Sequence, residues 1–100
     1  MGYIQVVFEG LDSYRIINET DSVISFGANY TLERFENETW KDVLGENQSC
    51  IFIMYHLGPN SSEVYPLGVK LGEGVYRLGK YIALSDSKET KYIKCDIFVR

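Results

Sequence analysis

The clearest structural signal in this 100-residue chain reads Ile24-Ser25-Phe26-Gly27-Ala28-Asn29-Tyr30-Thr31-Leu32. Apolar or aromatic side chains occupy every second position, and small or polar side chains lie between them. A period of two places the first set on one face of a β-strand and the second set on the other. The pattern therefore predicts one continuous strand with a buried face and a face in contact with water.

Similar short apolar runs recur on both sides of this strand, separated by turn-forming residues. The predicted strands are Tyr3–Phe8, Tyr14–Ile17, Ile24–Leu32, Trp40–Leu44, Cys50–Leu57, Val64–Val69, Val75–Leu84 and Tyr92–Val99. Because Cys50–Leu57 is almost continuously apolar, we expect partial cover on both of its faces. Pro66 has no backbone donor, so we expect Val64–Val69 at a sheet edge. This spacing of strands, with no helical pattern, predicts an all-β sandwich or small barrel.

The composition and charge narrow the class of protein. Only two Ala accompany seventeen Val and Ile and eight Tyr, which favours strands over helices. The length suits one domain, so we assign residues 1–100 to a single domain and expect it to be part of a larger extracellular protein. A formal net charge of −4 argues against nucleic-acid binding, which needs clustered Lys and Arg. No apolar run is long enough for membrane insertion.

The residues that could carry chemistry are few. A catalytic triad would have to be built around His56, the single histidine, and no Gly-x-Ser-x-Gly nucleophile elbow accompanies it. We therefore predict that His56 lies in a strand and pairs with a neighbouring residue, and that the chain has no catalytic residue. A zinc site would need His56, Cys50 and Cys95 to meet by a coincidence of packing, so we predict no metal site and no cofactor.

Two further sets of residues leave alternatives open. Cys50 and Cys95 are a candidate disulfide pair, and the alternative is two buried thiols. All five asparagines lie in Asn-x-Ser/Thr sequons, which mark glycan acceptors in some secreted proteins, but we favour a role in turns. These asparagines are Asn18, Asn29, Asn37, Asn47 and Asn60.

Trp40 and the eight tyrosines also have two interpretations. They could form a binding face for a peptide, a glycan or a partner protein. Alternatively, they could be cross-strand pairs that stabilise a small core. We favour the core, because the alternation places Tyr30 and Tyr76 inward.

Two groups of residues resemble a known family. The first is Phe26-Gly27-Ala28-Asn29-Tyr30-Thr31-Leu32-Glu33-Arg34, followed by Asn37 and Thr39-Trp40-Lys41-Asp42-Val43. The second is Tyr55-His56-Leu57-Gly58-Pro59, followed by Leu71-Gly72-Glu73-Gly74-Val75-Tyr76-Arg77-Leu78. Together they resemble the bacterial immunoglobulin-like domain found mostly in Firmicutes. That domain occurs in lipoproteins, in cell-surface proteins and in extracellular parts of some membrane-bound peptidase-type sensors.

The resemblance implies an antiparallel immunoglobulin-like β-sandwich of about seven to nine strands. Leu78 stands where the immunoglobulin pattern places its second conserved Cys, so an apolar contact must replace that disulfide. The family usually has Gly at the hairpin tip, where this chain has Asn37-Glu38.

The resemblance implies an extracellular or cell-surface location but no reaction. We expect a non-catalytic module, either a spacer or a binding or sensing domain, whose partner is another protein or a cell-wall component. The alternative is a regulatory ectodomain that controls an attached membrane peptidase-type sensor.

Overall fold

The computed structural model describes residues 3–27, 29–43, 54–85 and 90–100. These residues form antiparallel strands in two sheets, and this part of the chain contains no helix. The strands are β1 (Ile4–Phe8), β2 (Ser13–Asn18), β3 (Ile24–Gly27), β4 (Thr31–Glu36), β5 (Thr39–Asp42), β6 (Met54–Leu57), β7 (Ser61–Pro66), β8 (Gly74–Leu84) and β9 (Thr90–Val99). The predicted all-β, immunoglobulin-like sandwich is confirmed.

The two sheets differ in size, and β8 organises the larger one. The smaller sheet has the order β1-β2-β7, so β7 lies at an edge as predicted, with Pro66 as its last residue. In the larger sheet, β9 pairs along the whole of one side of β8. On the other side, β4 and β3 pair with successive parts of β8. β5 extends the sheet beyond β4, and β6 extends it beyond β3.

The core lies between the inner faces of the two sheets. On β8 Tyr76 is buried, as predicted, and so are Leu78 and Ile82 on the same face; Leu78 is fully enclosed by other apolar side chains. Burial of a leucine side chain stabilises a fold by about 2 kcal/mol. An apolar contact therefore occupies the position at which the immunoglobulin pattern has Cys, as predicted.

The prediction of one continuous strand over Ile24–Leu32 is wrong, because β3 ends at Gly27 and β4 begins at Thr31. The side chain of Lys80 explains the interruption. Its Nζ donates to the carbonyl oxygen of Gly27 at 2.6 Å and to that of Asn29 at 2.8 Å. These two carbonyls therefore bond to a side chain instead of extending the ladder along β8.

The prediction of cover on both faces of Cys50–Leu57 is wrong for Met54 and His56. Both side chains are exposed, and 61% of the Met54 surface is accessible. The reason is that β6 lies at the edge of the larger sheet, and neither side chain joins the core between the sheets. Residues 50–53 of this predicted strand, and Leu44 of another, lie outside the described residues.

The turns account for two of the five sequon asparagines. Asn37 and Glu38 connect β4 to β5 with φ of 50° and 64°, and such positive values are typical of a two-residue hairpin turn. Asn60, in the turn before β7, has a φ of 54°. Asparagine tolerates this conformation better than most residues, which confirms the turn role at Asn37 and Asn60. Asn47 lies outside the described residues.

Candidate functional site

The structure places His56 beside a serine, but not in a catalytic arrangement. His56 Nδ1 lies 2.8 Å from Ser25 Oγ, and the two residues are register partners on β6 and β3. In a serine triad the other ring nitrogen would face the serine, and an acid would hold Nδ1. The predicted pairing of His56 with a strand neighbour is therefore confirmed.

Of the three side chains considered for zinc, the two that the structure describes, His56 and Cys95, lie apart. His56 is exposed at the outer surface of β6, whereas Cys95 is half-buried against the core between the sheets. Burial raises the pKa of the Cys95 thiol to about 11. Cys50 lies outside the described residues, so its pairing with Cys95 stays a prediction.

The most distinctive surface is the outer face of the larger sheet, which we call the aromatic face. It consists of the outward side chains of β4, β5, β8 and β9, arranged in rows across the strands. From one end to the other, the rows hold Trp40, Phe35, Val75 and Phe98; then Asp42, Glu33, Arg77 and Asp96; then Thr31, Gly79 and Lys94; then Tyr81 and Tyr92.

The first row is apolar. The rings of Phe35 and Trp40 are register partners with centroids 5.1 Å apart. Phe98 lies opposite Val75 and is 65% exposed. Aromatic pairs at this distance contribute about 0.5–1.5 kcal/mol beyond their buried area, which helps to keep the rings in place.

Arg77 links the first row to the charged row. Its guanidinium carbon lies 4.1 Å from the centre of the Trp40 ring. Its Nε and Nη2 donate to the two carboxylate oxygens of Asp96 at 2.8 and 3.2 Å. The hydrogen bond from Arg77 lowers the pKa of the Asp96 carboxyl. Three strands thus contribute to one ordered cluster of a ring, a cation and an anion.

The tyrosine row lies at the other end of the face. Tyr81 and Tyr92 are register partners with ring centroids 4.7 Å apart, and Tyr81 is 63% exposed. The hydroxyls of Tyr92 and Thr31 are hydrogen-bonded at 2.6 Å. This places the Tyr92 ring across Gly79, where an added Cβ would overlap the Tyr92 hydroxyl. The absence of a side chain at Gly79 therefore lets the Tyr92 ring lie against the sheet.

The preference for a core role holds for only some of the aromatic residues. Tyr14 and Tyr76 are buried, and Tyr30 and Tyr65 pack against the core. The alternation of residues along β8 and β9 could have identified the exposed tyrosines. Tyr81 has the same parity as Arg77 on β8, and Tyr92 has the same parity as Lys94 on β9, so each falls on the solvent side of its strand.

The outer face of the smaller sheet differs sharply. Among the described residues its outward side chains are Gln5, Val7, Ser13, Arg15, Ile17, Ser62, Val64 and Pro66. Arg15 is paired with Glu9 and also donates to the Ser62 hydroxyl. No aromatic side chain belongs to this set. Of the exposed aromatic residues in the described ranges, four lie on the aromatic face, namely Phe35, Tyr81, Tyr92 and Phe98, whereas Tyr3 lies just before β1 and Tyr55 lies on β6.

Comparison with known proteins identifies the family. None of the described residues forms a helix that is long and apolar enough to cross a membrane. A search of curated proteins found no match. A search of solved structures found none either. The family model of the bacterial Ig-like domain matches residues 5–94. The chain therefore belongs to the bacterial Ig-like domain family.

Proposed function

We propose that this chain is an extracellular binding module that holds its partner against the aromatic face. Its family suggests a non-catalytic module, and membership favours a place on the outside of a bacterium. The observation that carries the proposal is the concentration of exposed aromatic rings on one outer face. Tyr and Trp supply large contact areas with a polar tip, which is why they are enriched at the centres of interfaces.

Side chains of the aromatic face are held in place by their neighbours, which supports a binding role. Arg77 is held by Asp96 and Trp40, and Tyr92 is held by Thr31 and Tyr81. Ordering a flexible side chain at an interface costs roughly 0.5–1.5 kcal/mol. Side chains that are already ordered avoid part of this cost, so a partner that meets the face keeps more of the contact energy.

The chemistry of the face fits a partner that offers both flat apolar surface and polar groups. The apolar row and the tyrosine row would meet the apolar surface, and the charged row between them would meet hydrogen-bonding groups. Another protein and a cell-wall component both satisfy this description. They are distinguished by whether protease treatment of the target surface abolishes binding.

The experiment measures binding of the fluorescently labelled chain to cells of the bacterium that encodes it. We expect saturable binding by the unmodified chain. Replacing Trp40 and Tyr81 together by Ser should weaken binding at least tenfold, because it removes a ring from each aromatic row. The matched control is Val64→Ser, which alters an exposed apolar residue on the outer face of the smaller sheet.

Two results would count against the proposal. One is equal binding by the double variant and by the unmodified chain. The other is an equal loss of binding with Val64→Ser. Circular dichroism of each variant must show the same strand signal as the unmodified chain, so that loss of the fold is not mistaken for loss of binding. If cells stripped of surface protein still bind, the partner is a cell-wall component.

A further inference from the structure

A charged side chain lies inside the sandwich. Lys80 occupies an inward position on β8 and is 1% exposed. Its Nζ donates to the carbonyl oxygens of Gly27 and Asn29, as described above, and to the Tyr14 hydroxyl at 3.2 Å. Tyr14 belongs to the smaller sheet, so this one ammonium group connects β8 with the opposite sheet and with the interruption between β3 and β4.

The ammonium group is held by neutral groups. Of the carboxylates in the described ranges, none forms an ion pair with Lys80. The rings of Tyr14 and Phe26 have their centroids 5.6 and 5.3 Å from Nζ, within the range of cation–π attraction. Burial without a counter-ion disfavours the charged form of a lysine, because water no longer solvates the ammonium group.

The hydrogen bonds around Lys80 suit both of its protonation states. An ammonium has three donors, and the structure provides three acceptors. A neutral amine has two donors and one lone pair. It can keep its bonds to Gly27 and Asn29 while the Tyr14 hydroxyl reverses and donates to the lone pair. Loss of the proton therefore breaks no contact between the sheets.

We propose that Lys80 and Tyr14 form a pH-responsive contact, in which Lys80 loses its proton while the sandwich stays closed and the domain becomes more stable. The device depends on Lys80 being buried without a counter-ion and on a hydroxyl that can reverse its hydrogen bond.

The direction of the effect follows from proton linkage. Burial lowers the pKa of Lys80 to about 8, from 10.5 for an exposed lysine. Between these values the unfolded chain binds the proton and the folded chain releases it, so stability rises with pH in that window. Where the unfolded chain binds one whole proton more than the folded chain, the folding equilibrium constant rises about tenfold per pH unit. Below pH 8 the cost of the buried charge is fully present.

The other titratable groups around Lys80 are four tyrosines and one cysteine. Tyr14 and Tyr65 face it from the smaller sheet, and burial raises the pKa of Tyr14 and raises that of Tyr65 to about 12. Cys95, inward on β9, has its pKa raised to about 11. The ring of Tyr30 packs on Tyr14, and that of Tyr55 packs on Phe26. Because the folded state raises the pKa values of Tyr14, Tyr65 and Cys95, these groups make the fold less stable as pH rises. The contribution of Lys80 must therefore be isolated by a variant.

The test compares unfolding by urea at pH 7.0, 8.0, 8.5 and 9.0 for the unmodified chain and for Lys80→Met. Met keeps most of the side-chain volume and cannot titrate. We expect the ratio of the two folding equilibrium constants, unmodified over variant, to increase severalfold from pH 7.0 to 9.0. Lys70→Met, at an exposed lysine between β7 and β8, should leave this pH dependence as in the unmodified chain. A constant ratio for Lys80→Met overturns the proposal.

A direct titration covers the case in which Lys80→Met does not fold. Carbon NMR of the unmodified chain with labelled lysine should show one Nζ-linked signal with a midpoint near pH 8, well below the value of about 10.4 for a lysine in a model peptide. The Tyr14 ring signals should shift with the same midpoint, because its hydroxyl reverses. A lysine midpoint near 10.4, or loss of folded signals at the midpoint, overturns the proposal.

Discussion

Asn18 is the residue whose replacement should affect stability most for its size. Its side chain is completely buried at the end of β2. The two N–H groups of Nδ2 donate to three carbonyl oxygens, those of Ser22, Leu57 and Gly58, at 2.9, 3.2 and 2.9 Å, so two of these carbonyls share one hydrogen. Oδ1 accepts from the backbone N–H and the hydroxyl of Thr20 at 3.0 and 2.6 Å. One amide thus joins the end of β2 to two backbone segments, the turn that contains Thr20 and Ser22 and the end of β6 at Leu57 and Gly58.

The expected cost of Asn18→Ala follows from these five bonds. A net hydrogen bond contributes about 1 kcal/mol, and a buried group left without a partner costs about 1–3 kcal/mol. Water can reach the Ser22 and Gly58 carbonyls, which are only partly buried, but the Leu57 bond is fully buried. We expect a loss of about 3–5 kcal/mol in the free energy of unfolding, a large part of the total stability of a domain this size.

The assay is urea unfolding, followed by far-ultraviolet circular dichroism, of the unmodified chain, Asn18→Ala and Asn29→Ala. Asn29 is an exposed asparagine in the same kind of sequon, so it is the matched control. Its replacement should change the free energy of unfolding by less than about 0.5 kcal/mol. A loss below about 1 kcal/mol for Asn18→Ala would refute the reasoning, because the amide would then not be holding these two segments to the end of β2.

Three further predictions concern single positions. Gly79→Ala should displace the Tyr92 ring and cost about 1 kcal/mol through the lost hydrogen bond to Thr31; an unchanged near-ultraviolet circular dichroism spectrum would contradict this. Glu38→Gly should stabilise the chain by about 1 kcal/mol, because glycine adopts the positive φ of this hairpin turn without strain; a lower urea midpoint would contradict this. In a Cys50→Ser background at pH 7, Cys95 should react with a maleimide at least about a hundredfold more slowly than in urea, because burial raises its pKa and restricts access; equal rates would contradict this.

The strand pattern of this protein could be predicted from the sequence because it depends on neighbours. Alternation along β8 and β9 predicts which side chains share a face, and Asn37 predicts the hairpin turn that follows β4. Pro66 predicts a sheet edge, because proline lacks the donor that an inner strand needs. Each of these signals arises from the backbone preference of a few adjacent residues.

The candidate site could be predicted only in part. The alternation places Tyr81 and Tyr92 on the outward side of their strands, but it does not show what covers that side. That none of the described strands covers the outer side of β8 and β9 follows from how these strands are ordered in space. The contact of Arg77 with Trp40 depends on the same order, because β5, β4 and β8 must be neighbours before the two side chains can meet.

The local sequence pattern therefore determined which segments form strands, where they turn and which side chains face inward or outward. The tertiary structure decided which distant side chains form hydrogen bonds with backbone groups. The alternation over Ile24–Leu32 predicts an unbroken strand, and Lys80 interrupts it from more than fifty positions away. Asn18 lies in a glycan sequon by sequence, yet its amide is used entirely inside the fold. In both cases a buried polar group needs hydrogen-bond partners that are distant in the sequence. The local alternation of apolar and polar residues carries no information about those partners.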